Sequence, residues 1–117
     1  MSCEIRIKRV YEPADSNDGF RVLVDRLWPR GIGRQEAAIA QWERELAPSN
    51  ELRKWFGHDP ARFETFAARY RKELQANPAL ASFADSLRSH DVVTLLFGAA
   101  DQVHNNAVVL RDVLLET

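Results

Sequence analysis

At 117 residues the chain has the length of one domain, enough to bury a core without disulfide or metal staples. Its 16 Lys and Arg against 17 Asp and Glu, a formal net charge of -1, lack the basic excess of a dedicated nucleic-acid binder. A single cysteine, Cys3, excludes an intrachain disulfide. No apolar run approaches the roughly 18 residues that span a bilayer, and Met1–Glu4 lead straight into an alternating strand with no leader pattern, so the chain reads as cytosolic with no membrane association.

Ile5, Ile7 and Val10 alternate with Arg6, Lys8 and Arg9, the period of a half-buried strand. Tyr11 to Gly19 is loop chemistry ending in the turn signal Asp18-Gly19. This linker is short and has no helical period. The first strand therefore either runs antiparallel to the second or reaches a parallel position by an irregular path, and the pattern leaves both open. Val22-Leu23-Val24 suits a strand covered on both faces. It turns polar at once: Asp25, Arg26 and Arg30 follow, with Trp28 between them and Pro29 and Gly31 stopping regular structure.

Gln35 to Leu46 predicts a helix with Ala38, Ile39, Trp42 and Leu46 on one face, ended by Ala47-Pro48-Ser49. Ser49 then caps a short helix through Phe56, with Leu52, Trp55 and Phe56 inward, Arg53 and Lys54 outward and Gly57 as its stop. Asp59-Pro60 opens another helix, striped by Phe63, Phe66, Ala67, Tyr70 and Leu74. Asn77-Pro78 repeats the device before Leu80, Phe83, Ala84 and Leu87. Val92 to Phe97 is the second fully buried strand. Gly98-Ala99-Ala100 bends the chain, and Asp101 caps a helix predicted from about Gln102 to Glu116, with Val103, Ala107, Val108, Leu110, Val113 and Leu114 on a broad apolar arc.

The order predicts a small layered α/β fold whose two buried strands lie parallel, joined by a long helical crossover. Ligands in such sheets sit beyond the carboxyl ends of the strands. The loops from Asp25 to Gly31 and from Gly98 to Asn106 are expected to meet there. Asp25 and His104 are the acid/base candidates. Arg26, Arg30, Asp101, Asn105 and Asn106 are the ligand-binding candidates, because guanidinium forks and the free N–H groups of a helix start suit an anion. The expected ligand is small and anionic or phosphorylated. The blander reading makes Asp25 a structural ion-pair partner of Arg26 or Arg30, Asp101 a cap, and both Asn residues loop fillers. A competing reading is a non-enzymatic interaction module built on Trp28, Trp42 and Trp55 with neighbouring Arg, presented by Leu52 to His58. Nucleic-acid binding through Arg30, Arg34, Arg53, Lys54, Arg62, Arg69 and Arg71 ranks third for want of net positive charge. His58, belonging to a helix break, His90, in a solvated turn, and His104 supply no metal-ligand set, no cofactor motif is present, and the oligomeric state is open.

Val22 to Gly31, Leu46-Ala47-Pro48-Ser49, Glu51 to Pro60, and Asp101 with His104-Asn105-Asn106-Ala107-Val108-Val109-Leu110 together resemble the YeaO-like branch of domain-of-unknown-function family 488. The likeness covers nearly the whole chain. It implies a bacterial α/β domain and no particular activity, and it supports Asp25, Arg26, Arg30, Asp101 and His104 as one site. Against the wider family's pattern, His104 matches a histidine, but Val103 and Asn105 stand where a Cys and an Arg are expected. Phe97 and Ala99 replace a further Cys and Glu. Thiol chemistry is therefore not implied for this chain.

Overall fold

The alternation of Ile5 and Ile7 with charged neighbours becomes strand β1 (Glu4–Arg9) in the computed structural model, which describes residues 3–117. Strands β2 (Phe20–Leu23), β3 (Gln41–Trp42) and β4 (Val92–Phe97) complete one sheet in the order β1-β4-β2-β3, every neighbouring pair parallel. The two central strands are the two that read as near-continuous apolar runs, as burial on both faces requires. The first strand takes the irregular parallel course. β1 and β2 are not neighbours, because β4 fills the place between them. Their connection, residues 10–19, has only to return about 20 Å along the strand and cross about 10 Å of sheet. Extended, it reaches roughly 33 Å, so no helix is needed.

The strand period sorts the sheet into two faces. Ile5, Ile7, Val22, Val93, Leu95 and Phe97 join the main core with Leu52 and Phe56 of α2 (Asn50–Phe56), Phe66, Tyr70 and Leu74 of α3 (Phe63–Gln75), Phe83 of α4 (Ala79–Ser86) and Leu110 and Val113 of α5 (Asn106–Leu115). Leu23 and Leu96 face the other way, with Val10, under Trp28, Ile32, Ile39 and Trp42. Thr94 and Arg21 share that second face. The Thr94 hydroxyl donates to the Asp18 carbonyl at 2.7 Å, and the Asp18 carboxylate takes Arg21 and Lys8. The caps expected from local chemistry form: Ser49 accepts from the Leu52 N–H, Gly57 ends α2 in a left-handed conformation, and Asp59 caps the turn before α3.

Two elements differ from the sequence pattern. No helix spans Gln35 to Leu46. Its helical pieces are α1 (Arg34–Ala37) and a 3-10 turn (Arg44–Leu46), and Ala38 is left-handed at φ 49. The Arg21 guanidinium donates to the Ala37 and Ala38 carbonyls at 2.7 and 3.1 Å, which takes up the acceptors of the α1 C-terminus. The Ala40 and Glu43 N–H groups then bind the Arg21 and Leu23 carbonyls at 2.9 and 2.8 Å, making this segment the sheet edge. Ile39 and Trp42 still pack inward, but as edge-strand residues. The last helix begins at Asn106 rather than near Gln102. Asp101 accepts the Val103 and His104 N–H groups at 2.9 Å each and closes a separate turn, and Asn105 is the true N-cap, accepting from Val108 at 3.1 Å.

Candidate functional site

At the carboxyl ends of β2 and β4 the two loops are joined through Asp25. The Gly98 N–H donates to Asp25 Oδ2 at 2.8 Å, and the Asn106 amide donates to Asp25 Oδ1 at 3.2 Å and to the Val24 carbonyl at 3.1 Å. Gly98 lets the carboxyl come this close, since a Cβ there would lie 3.1 Å from Oδ2. The Trp42 indole N–H holds the Asp25 backbone carbonyl at 2.7 Å. Asp25 is thus fixed by N–H groups of the opposite loop, where the blander reading had an ion pair with Arg26 or Arg30. Burial pushes its carboxyl above the usual aspartate range, although the Gly98 N–H, the Asn106 amide and the charge of nearby His58 all favour the ionised form.

That shift carries a stability prediction. Asp25 binds its proton more tightly folded than unfolded, so the charged carboxylate destabilises the fold at neutral pH. The penalty is relieved as pH falls through the raised folded-state value. Asp25→Asn sets an amide donor against the Gly98 N–H or the Asn106 amide, so it should lower the urea midpoint, and the loss should grow from pH 7 toward about pH 4 as the native protein sheds its charge penalty. A loss that does not grow as pH falls would contradict this account.

Asp25, Arg26, Arg30, Asn105 and Asn106 line one cavity of about 210 Å³, with Trp28, Phe56 and Phe66 as its aromatic wall. Arg26 is partly spent: its Nε–H donates to the Pro48 carbonyl at 2.8 Å and Nη2 reaches Ala47 at 3.4 Å. Arg30 is exposed, and its carbonyl accepts the Tyr11 hydroxyl at 2.9 Å. Asn105 is buried as the α5 cap, with its amide on the Asp101 carbonyl at 2.9 Å. Asp101 and His104 do not line this cavity. They form a pair on the turn before α5, His104 Nδ1 to Asp101 Oδ2 at 2.9 Å, with the imidazole edge-on to Phe63 at 5.2 Å. The His104 and Val103 backbone N–H groups, then the His104 ring, hold the Asp101 carboxyl down at about 2.

Sequence reasoning passed over Arg53, Phe56, His58 and Phe66 as site residues, and all four line the cavity. Lys54 is exposed as expected, but Arg53 is half-buried. Among the described residues, Arg53 Nε is the buried side-chain polar atom with no hydrogen-bond partner, while Nη2 reaches Asn50 Oδ1 at 3.4 Å. One signal was available: Arg53 and Phe56 are three apart on a helix and share a face. His58 belongs to the break after α2, as expected, and is left-handed at φ 57. His90 is not simply solvated; its ring stacks on Phe20 with centroids 4.1 Å apart. Among the described residues no group of three His, Cys, Asp or Glu stands together to hold a metal, and no helix is long and apolar enough to cross a membrane.

Residues 4–117 match a family model described as the inactive DUF488-N3 subclade, DUF488-N3i. The chain belongs to this family. It is 43% identical over 110 residues to an uncharacterized protein of Mycobacterium tuberculosis, covering 94% of this chain and 92% of the relative. It is 41% identical over 108 residues to the uncharacterized protein YeaO of Escherichia coli, covering 92% and 94%. No solved structure matches the chain significantly. The resemblance to the YeaO-like branch of family 488 is thus established, and so is the small α/β fold. In this DUF488-N3i chain, the position expected for a family Cys is Val103, which is 65% exposed, and the expected Arg is the buried cap Asn105. No serine, threonine, cysteine or lysine is among the residues that line the cavity, so the side-chain nucleophiles of covalent catalysis are missing there apart from the Asp25 carboxylate and the His58 imidazole.

Proposed function

We propose that the cavity binds a small anionic ligand, a carboxylate or a phosphate, and holds it without covalent chemistry. The observation that carries this reading is the Arg53 guanidinium, a half-buried cation on the cavity lining whose one acceptor among the described residues is Asn50 Oδ1 at 3.4 Å. Leaving such a group unmatched is costly, and an oxyanion in the cavity matches it. Arg26 and Arg30 line the same cavity with Arg53, so three guanidinium groups face one carboxylate, Asp25, and an anion entering it meets a net positive field. Asp25 supplies a fixed acceptor, and the apolar wall supplies most of the buried area. Acid/base work, if the site performs any, falls first to Asp25, because His104 lies outside the cavity lining.

A thermal-shift screen of carboxylates and phosphates tests the reading. A ligand at one hundred times its Kd stabilises by about 2.7 kcal/mol, which for a domain of this size is a rise of about 10 °C in Tm. Arg53→Gln should weaken that ligand at least about tenfold, since a hydrogen bond to a charged group is worth about 1.5–3 kcal/mol. An unchanged shift in the variant, or no response of the native protein to any anion, counts against the proposal. The interaction-module reading is supported by Trp55 alone, with the Arg62 and Arg69 guanidinium groups over its ring at 5.4 and 4.7 Å. Trp42 packs under the sheet against Trp28, and Trp28 belongs to the cavity lining, so neither offers a free docking surface.

A further inference from the structure

The cavity is more specific than an anion site needs to be. A cavity of about 150 Å³ with apolar walls accepts benzene. The volume here, about 210 Å³, admits one six-membered ring with small substituents. The walls suit a flat ring and are held in place before any ligand arrives. Phe56 and Phe66 stack with centroids 4.2 Å apart. Trp28 is fixed by its N–H on the Ile32 carbonyl at 2.9 Å, by the edge of Trp42 at 5.5 Å and by the Arg34 guanidinium over its ring. Rings fixed in this way cost little ordering entropy when another ring packs on them.

The two polar groups that lack a full set of partners want opposite things. The Arg53 guanidinium, with a single acceptor at 3.4 Å, is a cationic donor on the lining and wants an oxyanion. Asp25 already accepts one N–H on each carboxyl oxygen, so what it offers the cavity is further acceptor capacity, which suits a ligand donor. A dianionic phosphate would fill the first need but face the carboxylate with nothing to donate. We infer, resting on the anion-site reading above, that the ligand class is a single-ring aromatic carboxylate carrying a hydroxyl or amino donor, with its carboxylate on Arg53, its ring among Trp28, Phe56 and Phe66, and its donor on Asp25.

Calorimetric titration of the native protein with benzoate, 3- and 4-hydroxybenzoate, 4-aminobenzoate, cyclohexanecarboxylate, acetate and inorganic phosphate tests this without any variant. At least one donor-bearing benzoate should bind ten times more tightly than acetate or phosphate and several times more tightly than benzoate and cyclohexanecarboxylate. Its ring protons should shift upfield in NMR spectra. Asp25→Asn should remove most of the advantage over benzoate, and Arg53→Gln should weaken every carboxylate at least tenfold, with the Tm of each variant confirming that it is folded. If acetate or phosphate binds as well as the benzoates and remains sensitive to Arg53, the aromatic assignment falls and the anion site stands. Equal binding of cyclohexanecarboxylate and the hydroxybenzoates also overturns it. If none of these anions binds, both readings fall.

Discussion

Gly19→Ala should cost at least about 3 kcal/mol or prevent folding, whereas Gly31→Ala should cost only about 1–2 kcal/mol. Both glycines have positive φ, at 64 and 76, so both variants bear the backbone penalty of a side chain in that region. They differ in what the new methyl meets. At Gly31 nothing lies within 4 Å, but at Gly19 a Cβ would sit 2.3 Å from the Val92 carbonyl oxygen and 2.9 Å from its carbon. That carbonyl cannot step aside cheaply. Val92 opens β4, which is paired on both edges, to β1 through Glu4 and to β2 from Phe20 onward. Relief of the clash must push β2 away from β4, and these are the two strands whose far ends meet at Asp25 and Gly98. Urea unfolding of the two variants checks the difference. Equal losses would show that the conformation alone, and not the approach of β4, demands glycine at residue 19.

What the sequence discloses follows the range of the forces involved. β2 and β4 are legible because burial on both faces leaves no polar positions to disguise them. The ends of α2 are legible because Ser49 and Gly57 act within their own turn. β3 is not, since what stops α1 and recruits Gln41 and Trp42 is Arg21, reaching carbonyls 16 and 17 residues away. The start of α5 is ambiguous for a different reason. Asp101 and Asn105 are both good caps four residues apart, and only the turn that Asp101 closes on Val103 and His104 decides between them. At the site, the meeting of the two loops follows from strand order, which hydrophobic pattern reveals. Arg53 does not follow, because its place depends on how α2 rolls over the cavity, and adjacent Arg53 and Lys54 look alike on paper. The separation of His104 from Asp25 is also a matter of rotation: Asn106, two positions on, is the residue that reaches across.

The same second face of the sheet yields the other large effect: Asp18→Asn should cost about 3–5 kcal/mol, the usual loss when one partner of a buried charge cluster is removed. Asp18 is 6% exposed and Arg21 is 5% exposed. The Asp18 carboxylate also receives Lys8 at 3.0 Å and the Asp15 N–H at 3.0 Å. Removing its charge strands two cations, one of them fully enclosed and needed to hold the Ala37 and Ala38 carbonyls. Lys8→Met should cost far less, under about 1.5 kcal/mol, because Arg21 still neutralises Asp18 and Lys8 is less enclosed. Burial alone would raise the Asp18 carboxyl, but the Asp15 N–H, Lys8 and Arg21 together hold it below the usual aspartate range. The sign is therefore opposite to that at Asp25. Stability from Asp18 is fully present above its unfolded value of about 3.9 and is lost as pH falls through the lower folded value. Acid titration of native protein and Asp18→Asn should converge below about pH 4, while the native protein gains on Asp25→Asn over a higher window. A native protein whose acid unfolding is untouched by Asp18→Asn would show that this cluster is satisfied by solvent, and that the loop covering the second face is held by Leu23, Leu96 and the two tryptophans alone.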